Sequence, residues 1–237
     1  MKKLVTLFTL AIAMVASADV ASQNIVGYQT FTAAAGYTPL APTFISVGGT
    51  ASITAADVKG DFSEFDSLQI FDDAGNVATE LFWLVDGSMG GSGTGWYQSD
   101  FSTLANDTVL LAGSAFWVNS AAGATITIAG QVNKEAVIIN AGVGYTATGN
   151  AKPVETTVGA LQFGGLSEFD SIQIFDDAGN VATEIFWLVD GSMGGSGTGW
   201  YQSDFSTLAN DTVFSSGAAF WINSAAGGVT MTIPSAL

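Results

Sequence analysis

Hydrophobic and polar residues alternate with a period of two through most of the chain, the signature of half-buried strands. The clearest instance is Asp66-Ser67-Leu68-Gln69-Ile70-Phe71-Asp72, followed by the turn residues Asp73-Ala74-Gly75-Asn76 and a second run from Val77 to Val85. That pattern predicts a β-hairpin with a four-residue loop. Further strands are expected at Ile25–Thr32, Tyr37–Val47, Trp96–Ser99, Ala115–Asn119 and Ala124–Val132. Only Thr54–Lys59 reads as briefly helical, with Thr54 as its cap.

The whole pattern then repeats. Ser63–Gly123 aligns without gaps on Ser167–Gly227, with 54 of 61 positions identical, and Phe82–Val109 recurs unchanged as Phe186–Val213. Two copies of this length each suit one domain. The expectation is an all-β chain of two tandem β-sandwich or jelly-roll-like domains, at 19–132 and 133–237, behind a leader at 1–18. Many short strands separated by Gly-rich turns support that class. An outer-membrane barrel is the structural rival, but two near-identical halves with few charged positions for a lumen fit it poorly. The copies differ most where Leu110-Leu111-Ala112 becomes Phe214-Ser215-Ser216. An apolar surface covered in the first copy and open in the second would explain that change, so an interdomain contact is expected there.

The leader has a basic start (Lys2, Lys3), an apolar run from Leu4 to Val15 and the small-x-small site Ala16-Ser17-Ala18. These are the parts of a secretory signal cleaved after Ala18. Its apolar run is shorter than a membrane span. The expected product is a secreted, extracellular or cell-surface protein with no membrane span in the mature chain.

Composition narrows the chemistry. The chain has no Cys and no His, and its five cationic side chains are all Lys, against 21 Asp and Glu, for a net charge of −16. Thiolate, imidazole and Ser-His chemistry are excluded. So is the cationic stripe that a nucleic acid requires. A pair of carboxylates, as in glycosidases, is the remaining enzymatic option, and no further catalytic group supports it. The chain is therefore read as no enzyme.

Candidate binding chemistry lies in carboxylates and aromatics. Calcium needs six to eight oxygens and neither His nor Cys. One site per copy is considered at Asp72, Asp73 and Asn76 and at Asp176, Asp177 and Asn180, although no spacing matches a dedicated calcium loop; no other cofactor is implied. The glycine-rich segment Asp86–Gly95 lacks the Lys of a phosphate loop and the Asp of a calcium nonapeptide. It reads as a hairpin loop. Trp83 and Trp117 sit inside apolar strands and read as core. Trp96-Tyr97 directly follows the Gly loop, where rings at a loop edge stack on the apolar face of a sugar while polar neighbours hold its hydroxyls. The candidate ligand set is Trp96, Tyr97, Gln98, Asp100 and Asn106, repeated as Trp200, Tyr201, Gln202, Asp204 and Asn210. Asn106-Asp107-Thr108 and its repeat match glycosylation sequons, which behind a bacterial-style leader are incidental.

Asn24-Ile25-Val26-Gly27-Tyr28-Gln29-Thr30, Gly95-Trp96, Ala115-Phe116-Trp117 and Ala129-Gly130-Gln131-Val132 together resemble a family of secreted bacterial tandem-repeat β proteins. The resemblance implies an exported tandem β module and carries no catalytic residue. The second copy departs from it, ending at Ile233–Leu237 without the closing Ala-Gly-Gln-Val segment.

Two functions follow as expectations. One is a non-enzymatic structural or interaction protein of the cell surface that associates with itself or with other surface proteins, its self-repulsion screened by cations. The other is a bivalent carbohydrate-binding module that holds a polysaccharide through two copies of one site.

Overall fold

The computed structural model describes residues 25–47, 52–86, 88–190, 192–194 and 196–235. The expected leader lies outside the described residues. What is described is all-β: no α-helix occurs, only single 3₁₀ turns at Ala55–Asp57 and Val158–Ala160. The first half contains β1 (Val26–Ala33), β2 (Gly36–Leu40), β3 (Ser52–Thr54), β4 (Val58–Gly60), β5 (Ser67–Phe71), β6 (Val77–Leu84), β7 (Gly95–Tyr97), β8 (Val109–Leu111), β9 (Phe116–Ser120) and β10 (Ala124–Gln131). The second contains β11 (Val137–Ala141), β12 (Gly144–Gly149), β13 (Thr156–Thr157), β14 (Gln162–Gly164), β15 (Ser171–Phe175), β16 (Val181–Leu188), β17 (Gly199–Gln202), β18 (Val213–Phe214), β19 (Ala219–Ser224) and β20 (Val229–Ile233).

Pairing in the first half runs β1-β10-β4, β2-β9-β5-β6-β7 and β3-β8; in the second it runs β11-β20-β14, β12-β19-β15-β16-β17 and β13-β18. Every pairing in the first half thus has a counterpart ten strands later. The expected hairpin is β5–β6. Its turn is held by Asp72, whose Oδ1 accepts from the N–H of Ala74 (2.9 Å) and Asn76 (2.8 Å). Gly75 supplies the positive φ of 76°. The expected strand Tyr37–Val47 stops at Leu40, because the chain there leaves the sheet to meet the other half. The expected helical stretch is one 3₁₀ turn between two short strands, with Thr54 N–H donating to Asp57 Oδ2 at 2.8 Å.

In each half the three- and five-stranded sheets enclose a single apolar cluster, giving a sandwich-like layering. In the first half Ile126 and Ile128 of β10 and Val58 of β4 face Phe116 and Val118 of β9, Leu68, Leu81 and Trp96. The second half repeats this with Val229, Met231 and Ile233 against Phe220, Ile222, Ile172, Ile185 and Trp200.

The halves meet across a seam whose contacts come in matched pairs. Leu40 bridges to Ala218, and Ser114 to Thr148. Thr38 Oγ1 donates to the Asp177 carbonyl (3.0 Å), and Thr146 Oγ1 to the Asp73 carbonyl (3.2 Å). Ala41 N–H donates to the Gly217 carbonyl (2.9 Å), and Gly149 N–H to the Gly113 carbonyl (3.2 Å). Each contact maps onto its mate when the halves are exchanged, so the seam is self-complementary in the manner of an isologous interface. Trp117 and Trp221 stand nearest its centre, with ring centroids 6.0 Å apart, and each also packs edge-on against Phe71 and Phe175.

Two clefts of about 320 and 250 Å³ flank this seam at equivalent positions. Ser215, Ser216 and Asp177 wall the first; Leu111, Ala112 and Asp73 wall the second. The segment where the copies differ most therefore lies at the contact, as expected, but the first copy is not uniformly covered nor the second open. Leu111 is exposed, while Ser216 is held by the other half, its Oγ 2.7 Å from Gln29 Oε1. Leu110 and Phe214 enter the cores of their own halves, and Ala112 packs against the core of the other half.

Candidate interaction surfaces

The ring pair expected at the loop edge lies inside the protein. Trp96 and Tyr97 are 0% exposed, Trp200 2% and Tyr201 0%. Trp96 faces the core, packed edge-on against Phe62 (4.8 Å) and Trp83 (5.1 Å). Tyr97 points to the opposite side of β7, where the Gly loop covers it: its hydroxyl donates to the Gly93 carbonyl at 2.9 Å. Alternation explains one buried ring, and the loop folding back as a cover explains the other. Neither face is open to stack on a sugar. The polar members of that set hold backbone. Asn106 Oδ1 accepts from Trp96 N–H (2.9 Å), and Asn210 Oδ1 from Trp200 N–H (3.2 Å). Gln98 and Gln202 are exposed and close turns through their backbone, which accepts from Phe101 and Phe205 N–H.

Asp100 accepts from the hydroxyl of Thr103 (2.6 Å) and from the N–H groups of Thr103 and Ser102. These bonds, the Thr103 hydroxyl foremost, pull its pKa down to about 2, and Asp204 is pulled to about 2 by Thr207 in the same way. A depressed carboxylate contributes stability that is present above its unfolded pKa and lost as pH falls through the folded one. Replacing Thr103 and Thr207 by Val should therefore move part of the acid unfolding, which falls between about pH 4 and pH 2, to higher pH. Acid titration followed by circular dichroism would show it; an unchanged acid limb would contradict the assignment.

The considered calcium residues serve the β5–β6 turn and its repeat. Asp72 is spent on Ala74 and Asn76, and Asp176 on Ala178 and Asn180. The bond from the backbone N–H of Asn76, or of Asn180, is the main cause that lowers each aspartate's pKa. Asp73 and Asp177 contribute their carbonyls to the seam. Among the described residues no three or more acidic side chains converge into a metal-holding group.

Two surfaces escaped the sequence reading. The first is the outward face of the five-stranded sheets. Trp117, read as core, projects there, beside Gln69 on the next strand. The alternation Phe116-Trp117-Val118-Asn119-Ser120 carries the signal, since it puts Trp117 on the side of Asn119. Tyr37, Trp117, Trp221 and Tyr145 form a row with successive ring centroids 5.7, 6.0 and 5.5 Å apart. Gln69 and Gln173 flank it, each amide donating to Glu80 or Glu184 at 3.1 Å.

The second is a phenylalanine cluster at the end of each half. Phe65 (φ 68°) and Phe101 (φ 55°) have left-handed backbones, as do Phe169 (68°) and Phe205 (57°). Bulky residues are rarely found there, and each costs on the order of 1–3 kcal/mol. At Phe65, Asp66 N–H closes a turn on the Ser63 carbonyl, and Phe65 N–H donates to the Trp83 carbonyl. Glycine normally takes both the third position of such a turn and the first of such a bulge. Instead, an aromatic ring is held outward: Phe65 is 46% exposed and Phe169 49%. Phe65 packs edge-on against Phe101 (5.7 Å), and Phe101 against Phe82 (5.1 Å); the second half repeats this at 6.0 and 5.2 Å. The other left-handed residues other than glycine among those described are Met89 and Met193, also largely exposed.

Comparisons with protein-family models, curated proteins and solved structures find no match for this chain. Among the described residues no helix is long and apolar enough to cross a membrane.

Proposed function

We propose that this chain is an exported, non-enzymatic protein of the cell surface or extracellular space, and that it contacts other surface proteins through two matching apolar ends. In this reading the repeated sequence forms two tandem β-sandwich domains joined rigidly at the seam, each presenting one phenylalanine cluster. The observation that carries it is the left-handed backbone of Phe65, Phe101, Phe169 and Phe205. Strain that puts the Phe65 and Phe169 rings into water does nothing for the core, and such strain gathers where proteins bind. Bivalence then raises retention without new contacts.

Retention of the purified chain on cell envelopes of the producing organism tests this. Phe65→Asn alone should weaken retention, and Phe65→Asn with Phe169→Asn should abolish it, since asparagine tolerates a positive φ and removes the ring. Retention of the double variant at the wild-type level would sink the proposal.

A second reading is favoured by the aromatic row, whose rings and flanking carboxamides are groups that hold a polysaccharide. Binding to a glycan panel that disappears on replacing Tyr37 and Tyr145 by Ala would favour it.

A further inference from the structure

Charge around the phenylalanine clusters narrows the partner. From Ser63 to Asp107 there are eight Asp and Glu residues and no Lys; Ser167 to Asp211 repeats this. The acids next to the cluster that are not buried are Glu64, preceding the exposed Phe65, and Asp100, preceding the half-buried Phe101. Glu64 Oε2 accepts from Val85 N–H at 2.9 Å, but Oε1 is enclosed with no hydrogen-bond partner, and so is Oε1 of Glu168. Oε1 is closed to an outside donor, so a cation meets the Glu64 charge at the rim and not at that oxygen; within the chain that charge faces only the uncharged Val85 N–H. Asp100 accepts only from uncharged donors, so its charge stays uncompensated. A second copy of this chain would bring the same acidic rim against this one, which like-charge repulsion opposes.

We propose that each phenylalanine cluster docks a basic segment of a partner protein, seating an apolar side chain against Phe65 and Phe101 (or Phe169 and Phe205) while flanking Lys or Arg side chains meet Glu64 and Asp100 (or Glu168 and Asp204). This rests on the reading of the clusters as contact surfaces. The ring faces suit the same partner, because a cation is also attracted to an aromatic face.

The test uses the full chain and three labelled peptides of equal length, followed by fluorescence anisotropy. One alternates Lys with Phe, one replaces every Lys by Glu, and one replaces every Phe by Ser. The Lys-Phe peptide should bind at two equivalent sites and weaken at least about tenfold from low to high salt. The Glu-Phe and Lys-Ser peptides should each bind at least about tenfold more weakly, and Phe65→Asn with Phe169→Asn should cost the Lys-Phe peptide a similar factor. Glu64→Gln with Glu168→Gln keeps an acceptor for the Val85 N–H while removing the charge, so it should weaken that peptide without disturbing the fold. Equal binding of Lys-Ser would mean general attraction to an acidic protein, and equal binding of Glu-Phe a purely apolar surface; either overturns the proposal. So does wild-type peptide affinity in both double variants. If the phenylalanine variant loses envelope retention while no basic peptide binds, the contact surface stands and the basic partner falls; if neither responds, both fall.

Discussion

Asp66→Ala is expected to lower stability by about 3–5 kcal/mol, through the loss of three hydrogen bonds to a carboxylate, one of them from the buried Ser120 hydroxyl. The Asp66 side chain is 2% exposed and accepts from Ser63 N–H (2.8 Å), Ser120 Oγ (2.9 Å) and Ala121 N–H (3.1 Å). It ties the loop before β5 to the end of β9. The matching Asp170 accepts from Ser167 N–H (2.8 Å) and Ala225 N–H (3.3 Å). Asp170→Ala should therefore cost less. Because Asp66 also closes the turn that carries Phe65, the first variant should lose its phenylalanine cluster as well. Urea denaturation of both variants decides this; a loss under about 1 kcal/mol for Asp66→Ala would mean that the loop is held by something else.

Gly217→Val should damage the seam as strongly. Gly217 has φ 71°, and a Cβ there would lie 2.6 Å from the ring of Phe31 and 3.1 Å from Thr43, both in the other half. The variant combines backbone strain with a wedge, together about 3–6 kcal/mol. The Gly217 carbonyl also accepts from Ala41 N–H, so prising the segment outward costs that bond too. The expected result is uncoupling: tryptophan emission from the Trp117–Trp221 centre should change at lower denaturant than the circular dichroism of the cores. Gly36→Ala is the control. Its φ is 100° but nothing lies within 4 Å of the added carbon, so only the backbone cost of about 1 kcal/mol remains. Coincident transitions in Gly217→Val, with little loss, would show that the seam gives way easily.

The strands were legible wherever alternation ran long enough. The pairs β5–β6 and β9–β10 fall within a residue or two of their expected positions, because one face of each is buried in a core. Strands of three residues, such as β3, β4 and β8, are too short to show a period. Trp96 lies in the core instead of at a loop edge, and Trp117 lies half-buried at the seam instead of in a core; Trp117 shows why. Local hydrophobicity says that a strand is buried, while only the neighbour of matching parity says which side of it. Burial of Tyr97 was not legible, since it depends on the Gly loop folding back over the ring.

The phenylalanine clusters were the least legible feature. Glu64-Phe65-Asp66 and Asp100-Phe101-Ser102 contain no Gly or Asn to announce a positive φ. Hydrogen bonds that span the phenylalanine accompany it, from Ser63 N–H to Asp66 and from Ser102 and Thr103 to Asp100. The available signal was a large apolar residue placed directly after an acid in a turn, twice in each copy.

The thermal midpoint of Phe65→Asn with Phe169→Asn asks most directly whether these rings are held out for contact or for the fold. Asparagine accepts the left-handed backbone, and the exposed rings contribute little burial, so the midpoint should stay the same or rise. A fall of several degrees, roughly 1 kcal/mol or more for a chain of this size, would mean that the rings support the fold, and would contradict their assignment as a contact surface.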